Sequence, residues 1–212
     1  MSKPFDIDAL VDDLTPVRPV KASQLLFVLA ILLPLLIAAI IAVLGPRADL
    51  AQGVVSLMFL WRAGTLFILG CATAHAVVAM ASPSVGRGRH GWVWSMAGAA
   101  LFPLSAIILA MQGQGGMEVF GRVRPGIECL TMTGIGALAV AVPMVLHLRK
   151  GAPTAPERAG WLTGIAAGAM GAFAYNFHCP YSDPTYVAVW YGGAVALSAA
   201  IGRLVVPPLI RW

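Results

Sequence analysis

Leu25-Leu26-Phe27-Val28-Leu29-Ala30-Ile31-Leu32-Leu33-Pro34-Leu35-Leu36-Ile37-Ala38-Ala39-Ile40-Ile41-Ala42-Val43-Leu44 carries no charged and no hydrogen-bonding side chain. About 20 apolar residues at ~1.5 Å rise per residue match the ~30 Å hydrocarbon thickness of a bilayer. The segment before this run opens with acidic residues. It therefore lacks the positive start, short apolar run and small-residue cleavage site of a signal peptide, and the run is expected to stay in the mature protein as a first span at 25–44. Working outward, hydropathy predicts further spans at 60–81, 92–111, 126–148, 161–177 and 185–206. Gly45-Pro46 ends the first, Pro83 stops the second, and Pro207-Pro208 closes the last. Pro34, Pro103 and Pro143 fall inside spans, where neighbouring helices can satisfy the carbonyls a proline frees.

Composition agrees. The chain is 59% hydrophobic and only 11% charged, against roughly 45–50% and about 25% in soluble domains. It lacks the charge to cover a soluble surface, so lipid must serve as solvent. The net charge of +5 sits in loops between apolar runs, where topology explains it better than a nucleic-acid face. With the N-terminus inside, ten of the 14 Lys and Arg residues fall on inner segments, and Arg47, Arg62, Arg122 and Arg124 on outer ones. That asymmetry predicts N-in, C-in. The expected fold is an all-α membrane protein: a six-helix transmembrane bundle over 23–212, with a cytoplasmic segment 1–22.

Within that segment Ile7, Leu10, Val11 and Leu14 recur at i, i+3, i+4 and i+7 and share one helical face. Asp6, Asp8, Asp12 and Asp13 fill the other arc, and Pro16 and Pro19 end the pattern. So short a helix is marginal alone in water, and four aspartates are wrong for an anionic lipid surface. A groove on a basic partner and a solvated tail both fit.

Three thiols are present. Cys71 falls in mid-span and reads as a small buried apolar residue. Cys129 falls at the outer end of the fourth span and Cys179 in the short outer turn between the fifth and sixth, 50 residues apart in sequence but at similar depth. In an oxidising periplasm such a pair can form a disulfide or bind a soft metal. Glu128 and His178, each next to a cysteine, are candidates to complete a coordination shell or tune a thiol. There is no Cys-x-x-Cys pair, hence no support for a thioredoxin-type motif or zinc ribbon. A static disulfide and a sensing pair both remain open on spacing alone. Gly160, Gly164 and Gly168, continued by Ala172, form a small-residue row suited to close helix packing. Trp61 and Arg62 read as an interfacial anchor with the arginine snorkelling outward. His75 and His147 receive no role.

Asp13-Leu14-Thr15-Pro16-Val17-Arg18-Pro19, then Ala172-Phe173-Ala174-Tyr175-Asn176-Phe177-His178-Cys179-Pro180 and Tyr186-Val187-Ala188-Val189-Trp190-Tyr191-Gly192, resemble the NrsF family. Those are six-span proteobacterial anti-sigma factors that hold an extracytoplasmic-function sigma factor at the inner membrane. The resemblance spans the whole chain. It implies that the N-terminal segment contacts the sigma factor at the cytoplasmic face, and that Cys129 and Cys179 respond to heavy metals or oxidants. The resemblance carries no role onto Cys71. The implied protein needs no cofactor, takes at most a heavy-metal ion on its cysteine thiolates as inducer, touches membrane lipid and binds no nucleic acid directly. An acidic helix with an apolar stripe complements a basic sigma-factor surface.

Two other classes were weighed. A membrane thiol oxidoreductase would want a second, close-spaced cysteine pair. A small metal or solute transporter would want charge and broken helices at mid-membrane. Neither feature is present, and no enzyme is expected.

Overall fold

A computed structural model describes residues 21–81 and 122–211. The predicted span 92–111 lies outside the described residues, as do Ile7, Leu10, Val11, Leu14, Asp6, Asp12 and Asp13. The described chain forms α1 (Ala22–Leu44), a short α2 (Ala48–Ala51), α3 (Leu57–Met80), α4 (Val123–Lys150), α5 (Pro156–Tyr175) and α6 (Pro184–Ile210). Four of these, α1, α3, α4 and α6, are long and apolar enough to cross a membrane.

Local chemistry sets the ends. Gly45 terminates α1 at φ +87°, a conformation that favours glycine, and its N–H closes on the Ile41 carbonyl. Ser56 caps α3 by accepting from the Phe59 N–H at 3.2 Å. Asp183 caps α6 the same way through Thr185, with Pro184 preset at the first position. α4 outruns its predicted span at both ends, and its last turn holds His147, Arg149 and Lys150, cations that the helix dipole favours there. The expected stop at Pro207-Pro208 is corrected: α6 runs on to Ile210. The prolines remove N–H groups only near the helix end, and Val206 and Ile210 stay buried against the bundle. Pro34 and Pro143 sit within their helices as expected.

α5 is the centre. Fifteen of its 20 residues are buried, against four of 23 in α1. Its low-hydropathy Gly and Ala residues face other helices rather than lipid. The small-residue row does what its spacing predicts. A Cβ at Gly160 would press on the Gly202 carbonyl, at Gly164 on the Ser198 carbonyl, and at Gly168 on Ser198 and Val195 of α6. On another side Gly171 meets Thr133 and Ala137 of α4 at backbone distance, and Gly70 of α3 makes room for Met170. At the end where α1 begins, Gly151 lies against the Ala81 carbonyl, which accepts from the Ala152 N–H at 3.1 Å.

Two apolar clusters divide the bundle along its length. Leu25, Leu29, Val77, Met144, Leu148, Leu162 and Ile210 belong to the one nearer the start of α1. The other is rich in tyrosine and sulfur: Leu66, Cys129, Tyr175, Cys179, Tyr186 and Tyr191.

Candidate functional site: a buried thiol pair under a clamped turn

Cys129 occupies the second turn of α4, and Cys179 follows the last turn of α5. Both are free thiols, both are buried, and they share one cluster. α1 begins at the opposite end.

The turn after α5 is wound tightly enough to hold Cys179 in place. Asn176 N–H donates to the Ala172 carbonyl at 3.0 Å, and His178 and Cys179 both donate to Tyr175, at 3.0 and 3.1 Å. These bonds use carbonyls that a helix C-terminus leaves free.

Arg47, from the link after α1, closes the turn from the other side. Its side chain is only 5% exposed. Nη1 donates to the Cys179 carbonyl at 2.8 Å and Nη2 to Ser182 Oγ at 3.0 Å. Nε and Nη2 grip both oxygens of Asp49 at 2.8 and 2.7 Å, the fork geometry that suits a guanidinium to a carboxylate. The Arg47 N–H donates to the Phe177 carbonyl at 3.0 Å, and His178 Nδ1–H donates to the Gly45 carbonyl at 2.8 Å. The guanidinium also lies 5.5 Å from the Phe59 ring centre. The Arg47 bond holds the Asp49 carboxyl below the usual carboxylate range, and the same bond raises Arg47.

Arg62 requires a correction. It does not snorkel outward. Trp61 takes the outer face at 73% exposure, and Arg62, about 100° further round the helix, is 3% exposed. Its guanidinium sits 4.9 Å from the Tyr191 ring centre and donates to the Tyr181 carbonyl. Cys71 requires another. It is exposed, not buried, because Gly70, its neighbour, takes the inward position against Met170. Glu128 faces outward beside Arg124 at 3.7 Å and does not join the thiols. His178 sits in the turn, with Nδ1 engaged by Gly45. Among the described residues no three His, Cys, Asp or Glu side chains form a metal-holding group, so the donor set at hand is two thiols, a set that suits a soft ion.

α6 completes the site. Over Val187–Tyr191 it widens into a π turn, a feature that often accompanies functional sites. The wider turn lets Tyr186 and Tyr191, five residues apart, both face inward, and both are buried. Gly126 of α4 makes room for the Trp190 indole. The hydroxyls of Thr133, Tyr186 and Tyr191, the Trp190 N–H, the Asn176 amide, and Nε and Nη2 of Arg62 are buried without a hydrogen-bond partner among the described residues. The two thiols thus share a buried cluster that also holds the Tyr186 and Tyr191 rings.

Sequence reasoning missed Arg47, Gly126 and the π turn, and turned Arg62 the wrong way. Arginine beside a span is a recognised signal; Arg47 was used only to count charge.

The fold and site define a helical membrane-type protein whose chemically distinctive feature is a buried thiol pair. Residues 10–212 match the family described as NrsF, negative regulator of sigma F, and the chain belongs to that family. It is similar to the anti-sigma-F factor NrsF of Caulobacter vibrioides (strain NA1000 / CB15N), 31% identical over 187 residues that cover 83% of this chain and 84% of the relative. It is also similar to the probable anti-sigma-F factor NrsF of Azospira oryzae (strain ATCC BAA-33 / DSM 13638 / PS), 26% identical over 177 residues that cover 81% of each chain. These relatives are regulators, not enzymes. No solved structure matches.

Proposed function

We propose that the protein is an inner-membrane anti-sigma factor. It holds an extracytoplasmic-function sigma factor at the cytoplasmic face through residues 1–22. It releases that partner when Cys129 and Cys179 meet a thiol oxidant or a soft metal ion on the periplasmic side. The bundle crosses the membrane six times with both termini inside, the third crossing being 92–111. The observation that carries this reading is the convergence of two thiols, 50 residues apart in sequence, in one buried cluster at the end of the bundle opposite the start of α1.

The chemistry balances simply. Oxidation joins the two sulfurs and removes two electrons and two protons, both taken up by the oxidant. Metal capture instead releases thiol protons and forms two metal–sulfur bonds. Moving a two-state equilibrium from 1:99 to 99:1 needs roughly 5.5 kcal/mol of differential binding, and metal–thiolate ligation reaches apparent values of about 10–16 kcal/mol in small zinc sites. The energy is sufficient. Of the two auxiliary residues, His178 has the better placement for tuning the pair, since it belongs to the same turn. Glu128, exposed beside Arg124, has the poorer.

In the N-terminal segment, Ile7, Leu10, Val11 and Leu14 supply apolar anchors, while Asp6, Asp12 and Asp13 speed encounter with a basic surface. Co-purification of the sigma factor with the full chain, and with residues 1–22 deleted, tests the grip. Capture should vanish with the deletion; undiminished capture would end the proposal. The doubly substituted chain, Cys129→Ser with Cys179→Ser, should capture normally but hold its partner in the presence of oxidant.

A further inference from the structure

A thiol event at one end of the bundle needs a route to the N-terminal segment at the other. We propose that Arg47 is the positioning residue that couples the Cys179 turn to α1, and through α1 to that segment. The inference rests on the sensing reading above and adds the element that moves.

The attachment at the turn is specific to the thiol's own residue. Arg47 Nη1 binds the carbonyl of Cys179, and the Arg47 N–H binds the carbonyl of Phe177, two residues earlier. Any chemistry that draws Cys179 Sγ toward Cys129 or a metal rotates residue 179, and its carbonyl swings with it. His178 adds a third link, to Gly45. Three consecutive residues of the turn, Phe177, His178 and Cys179, thus pair with the chain just past the end of α1, while the N–H groups of His178 and Cys179 stay on Tyr175. Asp49 holds the guanidinium by two bonds, so the fork cannot swivel to absorb the motion.

The other condition is an element free to respond. α4 and α6 are held to α5 through close backbone approaches at Gly136, Gly171, Gly164 and Gly202, and α3 seats the Met170 side chain of α5 against Gly70. Such contacts leave no slack. Among the described residues α1 has no such lock. Only Leu25, Leu29, Leu33 and Ile40 are buried, and all four are side chains that can slide. A 23-residue helix is a rod of about 34 Å at ~1.5 Å per residue, anchored at one end by Arg47. Its other end, Ala22, is where the N-terminal segment begins. Displacement at the clamp therefore passes along α1 toward Ala22.

The test uses the full chain in lipid nanodiscs with the sigma factor bound, and diamide as oxidant. Oxidation of the pair puts two electrons and two protons on the N=N bond of diamide, giving the hydrazine. Wild type, Arg47→Gln, Arg47→Lys and Asp49→Asn are compared for resting capture, for disulfide yield by mass spectrometry, and for partner release. Arg47→Gln is expected to capture the partner and form the Cys129–Cys179 disulfide as wild type does. Release should fall about tenfold or more, within the 5- to 150-fold range usual for allosteric coupling. Arg47→Lys keeps the cation but not the fork, and Asp49→Asn leaves the fork unbraced, so both should lose release partially. Should Arg47→Gln fail to assemble, these two carry the test. Release at the wild-type rate in all variants overturns the coupling role while the sensing reading stands. Loss of resting capture in all three would make Arg47 a structural residue and overturn it as well. Wild type that forms the disulfide and releases nothing sinks the sensing reading, and this inference with it.

Discussion

α5 and α1 are both helices of a lipid-adapted bundle, and they are held in opposite ways. α5 meets its neighbours backbone to backbone, through Gly160, Gly164, Gly168 and Gly171. α1 meets the bundle through four buried aliphatic side chains and a polar clamp beyond its end. In lipid, apolar burial gives little drive for helix association, so close packing and hydrogen bonds decide what is rigid. By that standard α5 with α6 is the platform and α1 the lever.

The sharpest way to break the comparison is to fill the glycine row. Gly164→Leu forces a side chain into the Ser198 carbonyl and Ala199 backbone. Overpacking of cores typically costs 1–3 kcal/mol and sometimes more, and here the obstacle is backbone, so a loss of about 3 kcal/mol or above is expected. A guanidine or thermal unfolding series in detergent measures it. A loss below about 1 kcal/mol would mean that α5 and α6 are not locked.

Leu→Ala substitutions sharpen the contrast. Leu66, fully buried on α3 in the thiol-bearing cluster, should lie in the upper part of the ~2–5 kcal/mol range for buried leucines. Leu33, at the edge of burial on α1, should lie at or below its lower limit. Equal costs would remove the distinction between platform and lever. Next in size is Arg62→Met. It removes the bond to the Tyr181 carbonyl and a cation–π contact with Tyr191, the latter worth about 2 kcal/mol when desolvated, but relieves two buried N–H groups that lack partners among the described residues. The two effects oppose, so a net cost under about 2 kcal/mol is expected from the same unfolding series.

How far the sequence alone could reach follows from these cases. The helices were legible because apolar runs of bilayer length have few other uses. The glycine row was legible because its four-residue spacing must fall on one face. That Cys129 and Cys179 share an end followed from counting spans. Which side of a helix faces inward did not follow. Lipid and core are both apolar, so the pattern around Cys71 and Arg62 looks alike whether they turn in or out. Arg47 was hidden for a different reason. Its partners in the turn are the carbonyls of Cys179 and Phe177 and the hydroxyl of Ser182, and carbonyls are present at every residue. Only the Asp49 pairing left a mark in the sequence, two positions away.

That pairing yields the smallest effect and the most selective one. The Arg47 bond places the folded Asp49 pKa below its ordinary value, near 3.9 when unfolded. A depressed carboxylate adds stability above the unfolded pKa and loses it as pH falls through the folded value. The gap in unfolding midpoint between wild type and Asp49→Asn should therefore be constant from neutral pH down to about 4, and close only below that. Other carboxylates titrate in both proteins and cancel in the difference. Because Asp49 is partly exposed, screening keeps the gap small, and salt should shrink it further. A gap that instead closes between pH 7 and 5 would show that Asp49 does not brace the clamp, and the lever would lose the fixed end on which its motion depends.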